Sequence, residues 1–157
     1  MNVLDILKYG NRTLLNSVEG LPETDWDVGG VCGWWSVKDI MAHLASYELL
    51  LAEALDTFLG AEFGPTMSEM AQMRGEWNDT QVERRKGKSV AEVLAEYNQA
   101  HQRVMDLAAQ IPAEKYRENG TIPWYGAEYC LDDFIVYTSY GHKREHSAQI
   151  MVYRDQL

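Results

Sequence analysis

An all-α fold, a four-helix bundle with one long connection between its second and third helices, is what this 157-residue sequence predicts. Apolar residues recur at helical spacing in four long segments. Two capping boxes, Ser36-Val37-Lys38-Asp39 and Ser89-Val90-Ala91-Glu92, mark the starts of the middle pair. No hairpin signal, solenoid repeat or low-complexity tract competes with the helical pattern.

The first helix is expected from about Val3 to Glu19, with Val3, Leu7, Leu14 and Val18 near helical spacing and Gly20-Leu21-Pro22 ending it. A Gly- and Asp-rich loop follows, from Pro22 to Trp35. The second helix is capped by Ser36, whose hydroxyl can accept from the Asp39 amide while that carboxylate reaches back, and Trp35 and Ile40 occupy the positions of a hydrophobic staple. It should run to about Phe58 with Ile40, Leu44, Tyr47, Leu51, Ala54 and Leu55 facing inward. The polar connection from Gly60 to Lys88 is expected to hold short helices near Ser68 to Met73 and Asn78 to Arg85, with Met67, Met70 and Met73 on one face. The third long helix starts at Ser89 and carries one stripe through Val93, Leu94, Tyr97, Val104 and Leu107 until Ile111-Pro112. After a loop holding Gly120, Pro123 and Gly126, the last helix is expected from near Asp132 to about Tyr153.

The length suits one domain spanning residues 1–157, and 46% hydrophobic with 24% charged residues is enough to build a core. No apolar run approaches the roughly 20 residues needed to cross a bilayer, and the N-terminus lacks the plan of a signal peptide, so a cytoplasmic location without membrane attachment is expected. Fourteen basic against twenty-four acidic residues give a net charge of −10, which would repel a phosphate backbone, so no nucleic-acid partner is expected. The basic run Arg84, Arg85, Lys86 and Lys88 reads as a solvated loop. Cys32 and Cys130 are too few and too far apart for a disulfide framework and read as reduced thiols.

The chemistry is concentrated in the histidines, of which there are four. His142 and His146 are four apart, so on a helix they share a face and can reach one cation. His43, three residues after Ile40 and four before Tyr47, points near the apolar stripe of its helix and could supply a third nitrogen. Three imidazoles leave positions open on a metal, as catalytic centres do, so a metal-dependent enzyme is the leading reading. His43 lies about 10 Å past its cap, and His142 and His146 about 15 to 21 Å past Asp132. Parallel helices with a modest offset would bring the three level, and antiparallel packing also permits it.

Other candidates carry less. His142-Lys143-Arg144-Glu145-His146 matches the H-x-x-E-H of inverted zinc proteases, but those need a downstream ligand, and after His146 only Asp155 offers a side-chain carboxylate. Glu145 therefore reads as a solvated helix residue. Glu48 is about 140° around the helix from His43 and reads as a surface carboxylate; His101 could lie near the bundle interior but reads as solvent-facing, and Asn78 and Asp79 could approach the metal mouth, though Asn78 reads first as a helix cap. Trp34, Trp124 and Tyr125 precede the second and last helices and could line a substrate wall or seal the bundle, and Cys32 and Cys130 would share their end if the helices were parallel.

The block Trp35-Ser36-Val37-Lys38-Asp39-Ile40-Met41-Ala42-His43-Leu44-Ala45-Ser46-Tyr47-Glu48 resembles the W-S-x-x-[DE]-x-x-x-H-[LI]-x-x-[WY]-[ED] block of the DinB/YfiT-like superfamily of metal-binding four-helix bundles, and His142-Lys143-Arg144-Glu145-His146 resembles its H-x-x-x-H on the last helix. Trp77-Asn78-Asp79, Arg84-Arg85 and Ser89 to Leu94 are similar to its middle section, so the resemblance covers nearly the whole chain. It implies a divalent metal ion, nickel, zinc or iron, held by His43, His142 and His146 with water in the remaining positions. Relatives include transferases that use low-molecular-weight thiols and a thiol-dependent maleylpyruvate isomerase. The resemblance thus implies a thiol transferase, isomerase or hydrolase acting on a small-molecule substrate, with the alternative of a non-catalytic bundle that binds or sequesters metal or a small molecule. It also implies a homodimer.

Overall fold

The computed structural model describes residues 2–157. Four long helices form the bundle: α1 (Val3–Val18), α2 (Val37–Thr57), α5 (Val90–Ala108) and a final rod made of α6 (Leu131–Ile135), a π-helical turn (Val136–Gly141) and α7 (His142–Arg154). The long connection folds into α3 (Pro65–Met73) and α4 (Trp77–Arg85). Both serine capping boxes form, Ser36 accepting from Asp39 and Ser89 from Glu92 while each carboxylate returns the bond. Among the described residues there is no strand, and no helix is long and apolar enough to cross a membrane.

Side-chain pairings fix the helix directions. Trp35, before α2, lies against His146, whereas Tyr47, further along α2, lies against His142. The second and last helices are therefore antiparallel, and the loops preceding them lie at opposite ends. Arg154 bonds the carbonyls of Ser17 and Glu19, so α1 runs parallel to α7, and His101 and Arg103 meet Glu48 and Asp56, so α5 runs parallel to α2. The core divides accordingly. One apolar cluster joins Leu14, Ile40, Leu44, Val93 and Ile150 at one end, and another joins Leu7, Leu55, Val104, Ile122 and Ile135 at the other.

Between these clusters lies a polar layer. Glu48 is buried, with Oε1 2.5 Å from Lys143 Nζ and Oε2 2.8 Å from His101 Nδ1. This corrects the reading of Glu48 as a surface carboxylate and of His101 as solvent-facing. The partner that draws them inward is Lys143, itself 2% exposed, with its ammonium 3.2 Å from the Ser139 hydroxyl and facing the Tyr97 ring. Burial pushes the Glu48 carboxyl up, but the Lys143 ammonium and His101 outweigh it and leave it below the ordinary carboxylate range.

The basic run at the end of α4 is paired, not simply solvated. Arg84 bridges to Glu69, Arg85 and Lys88 share Glu96, and Lys86 bonds Asp39 of the α2 capping box. These bonds hold α4 across the start of α2 and α5, covering the side of the bundle on which the histidines lie.

Candidate metal centre

Three helical positions converge on one point. His142 Nε2 is 2.9 Å from His43 Nε2 and 3.0 Å from His146 Nε2. These are the three residues the spacing singles out, and they are a group whose ligand atoms lie close enough to hold one metal ion. His142 and His146 stand one turn apart on α7, while His43 comes from the facing α2.

The π-helical turn sits immediately before His142. Its wider winding shifts the helix register just ahead of His142, a device often found where a site needs an aimed side chain. The backbone of Thr138, in that turn, lies near enough to the His142 ring to oppose the lowering of its pKa. His146 Nδ1 is 2.8 Å from Gln149 Oε1. With its Nδ1–H donated to Gln149, His146 turns an Nε2 lone pair toward His142 Nε2 at 3.0 Å. Three imidazole nitrogens brought this close in neutral rings are a donor set that fits a cation.

His43 is oriented by packing. Its ring lies between Trp35 and Tyr47, with centroids 4.7 and 4.8 Å away, and its Nδ1 is buried without a hydrogen-bond partner. Trp35 is held in turn by its indole N–H donating to Asp79 at 3.2 Å.

All three imidazoles are kept neutral, the form that ligates a metal. Burial, then His142 and His146, lowers the His43 pKa to about 2. Burial, then His146, lowers that of His142 to about 4, and burial lowers that of His146. Each shift stabilises the fold above the unfolded-state pKa near 6.5, and that stability is lost as pH falls through 6.5 toward the folded values. Metal-free protein will therefore lose stability between pH 6.5 and 4, by up to about 1.4 kcal/mol per pH unit for each neutral histidine. Urea unfolding at pH 7 and pH 5 measures this. A drop of equal size in His43→Ala/His142→Ala would assign the loss to other groups.

Around the centre, α4 brings Asn78 beside the Tyr47 hydroxyl, while its N-cap position belongs to Glu76. Asn78 is thus a neighbour of the site and not a cap. Burial raises the Tyr47 pKa, with Asn78 opposing, so its phenol stays protonated at neutral pH. Glu145 is exposed, as expected. The antiparallel helices separate the aromatic loops: Trp34 lies under Lys86, whereas Trp124 meets Phe63 at the opposite end. Cys32 and Cys130 are both free and fall at opposite ends for the same reason. The Lys143 to Glu48 bond fixes the residue next to His142, and sequence reasoning missed it. The signal was a lysine one position from a ligand on a face that must turn inward.

The sequence profile of the DinB superfamily matches residues 7–150. A crystal structure of a protein from Streptococcus pneumoniae has the same fold, with a TM-score of 0.80 at 13% identity over 98% of this chain and 88% of that one. No curated protein matches the sequence.

Proposed function

The chain belongs to the DinB superfamily, and from that premise we propose that His43, His142 and His146 hold one divalent cation through their Nε2 atoms and that the protein is a metal-dependent enzyme acting on a small molecule. The observation that carries the reading is the convergence of three neutral imidazoles, with the Nε2 atoms of His43 and His146 2.9 and 3.0 Å from that of His142. Imidazole donors suit nickel, iron and zinc alike. A divalent cation there supplies Lewis acidity, which polarises a carbonyl or makes a thiol or water more acidic.

The chain's own residues supply the rest. Gln149 holds the tautomer of His146, and Trp35 and Tyr47 hold the His43 ring. Tyr47 presents a protonated phenol beside the centre, able to donate to a polar head group. Both Glu48 oxygens are committed, to Lys143 and His101, so Glu48 is not a free general base. This suits thiol transfer, isomerisation or hydrolysis in which acidity comes from the centre.

Gln149→Leu will weaken metal affinity about 10- to 100-fold by releasing the His146 ring, which competition with a metal indicator measures. For turnover, low-molecular-weight thiols paired with small carbon electrophiles, and small esters and amides, form the screen. Activity will depend on added nickel, iron or zinc and fall at least about 100-fold in His142→Ala. Metal binding without turnover on any substrate would favour the sequestering bundle, and turnover equal in wild type and His142→Ala would contradict the site.

A further inference from the structure

Beside the histidines, between α2, α3 and the final rod, lies a cavity of about 480 Å³. Its volume falls in the range of small-molecule sites. None of its lining residues carries a charge, and its surface is dominated by Leu50, Leu51, Met67, Met70, Phe134 and the aromatic rings. The two walls that carry polar atoms nearest the centre are Tyr47 and Thr138. Tyr47 is shared: one side of it lines the cavity, and its ring lies 4.6 Å from that of His142 and 4.8 Å from that of His43. Thr138 has its backbone near the His142 ring, and its own hydroxyl is spent on the Phe134 carbonyl at 2.5 Å.

The far rim is closed by two half-exposed aromatics, Phe63 and Trp124, packed edge to face with centroids 5.6 Å apart. They come from segments distant in sequence, the loop before α3 and the loop before α6. Helix α3, which carries Met67, Met70 and Ala71 over the cavity, is pinned to α2 by one side chain: the Glu53 carboxylate accepts from the amides of Thr66 and Met67 at 3.1 and 2.9 Å. A Cβ at Gly64 would meet that carboxylate, so a larger residue there would displace Glu53. The cavity therefore has a fixed floor on α2, a roof tied down at one end, and a wall in common with the histidine centre.

We propose that this cavity binds the neutral aromatic or branched-aliphatic body of the small molecule whose polar head reaches the three-histidine centre past Tyr47. The inference rests on the metal-centre reading for the head alone, and on the cavity for the body. The lining excludes the rest: a peptide-like, sugar-like or phosphorylated body would find no charged partner there, and few polar ones besides the tyrosine hydroxyls and the Trp124 indole N–H. The substrate class is thus an uncharged apolar molecule with one ligating group, such as a carbonyl or a thiol.

The test uses the neutral fluorophore N-phenyl-1-naphthylamine, with metal content measured on the same samples. Wild type will bind one equivalent saturably, and His142→Ala, without metal, will bind it with unchanged affinity. Ala71→Trp, which fills the exposed rim without touching the core, will weaken binding at least about tenfold, and Phe63→Ala/Trp124→Ala will weaken it through loss of the clamp. 1-Naphthylacetohydroxamic acid, which adds a metal-ligating head, will displace the fluorophore from metal-loaded wild type at a concentration at least about tenfold lower than from His142→Ala. Absence of saturable binding, or equal affinity in wild type and Ala71→Trp, overturns the cavity whatever the metal content. Equal displacement from metal-loaded wild type and His142→Ala overturns the link to the centre. Fluorophore binding in a protein that takes up no metal would sink the metal reading alone.

Discussion

Lys143→Met will lower the unfolding free energy by about 3–5 kcal/mol, the cost of leaving a buried charge without its partner. Glu48 is fully enclosed and has two partners, Lys143 at 2.5 Å and His101 at 2.8 Å. Removing the ammonium leaves the carboxylate with the imidazole alone, so the carboxyl must take up a proton or the layer must open to water. The double variant Glu48→Gln/Lys143→Met, which removes both charges, will recover most of the loss. Urea unfolding of metal-free samples followed by circular dichroism reads both. A loss below about 1 kcal/mol in the single variant would mean that water already reaches Glu48.

His142→Ala will abolish the stabilisation that metal gives. Wild type in an excess of metal 100-fold over its dissociation constant gains about 2.7 kcal/mol, seen as a higher unfolding midpoint. His142 is the histidine whose Nε2 touches both others. Its removal leaves His43 and His146 from different helices, so the gain disappears at the same metal concentration. His142→Ala also relieves the cost of burying a neutral imidazole at acid pH, so the metal-free variant is less sensitive to pH between 6.5 and 4 than wild type. Loss of the metal gain together with a smaller pH slope separates a damaged site from a damaged fold. A metal-induced rise equal to that of wild type would contradict a role for His142.

What could be read in the sequence was local. The capping serines and the apolar stripes depend on neighbours within a few residues, and α1, α2, α5 and the final rod form within about three residues of the expected bounds. His142 and His146 are one turn apart on any helix, and His43 faces inward on any helix that buries Ile40 and Leu44, so their convergence was within reach. Helix direction was not. Axial depths from the caps allowed parallel and antiparallel packing alike, and the choice is made by long-range pairs such as Trp35 with His146 and Tyr47 with His142. Glu48 and His101 illustrate the same limit, since the angle from His43 rightly separates Glu48 from that ring but says nothing of a lysine about a hundred residues away. The π-helical turn at Val136–Gly141 leaves no mark in the spacing of apolar residues, yet it sets the register of His142. The basic run ending α4 looked solvated because its acidic partners, Asp39, Glu69 and Glu96, lie on other helices.

The most direct test of the central claim is elemental analysis of protein purified without a histidine tag, comparing wild type with His43→Ala and His142→Ala. The account predicts about one equivalent of nickel, iron or zinc per chain in wild type and less than about a tenth of that in both variants. No metal in wild type after incubation with each ion, or an equal content in all three proteins, would contradict it.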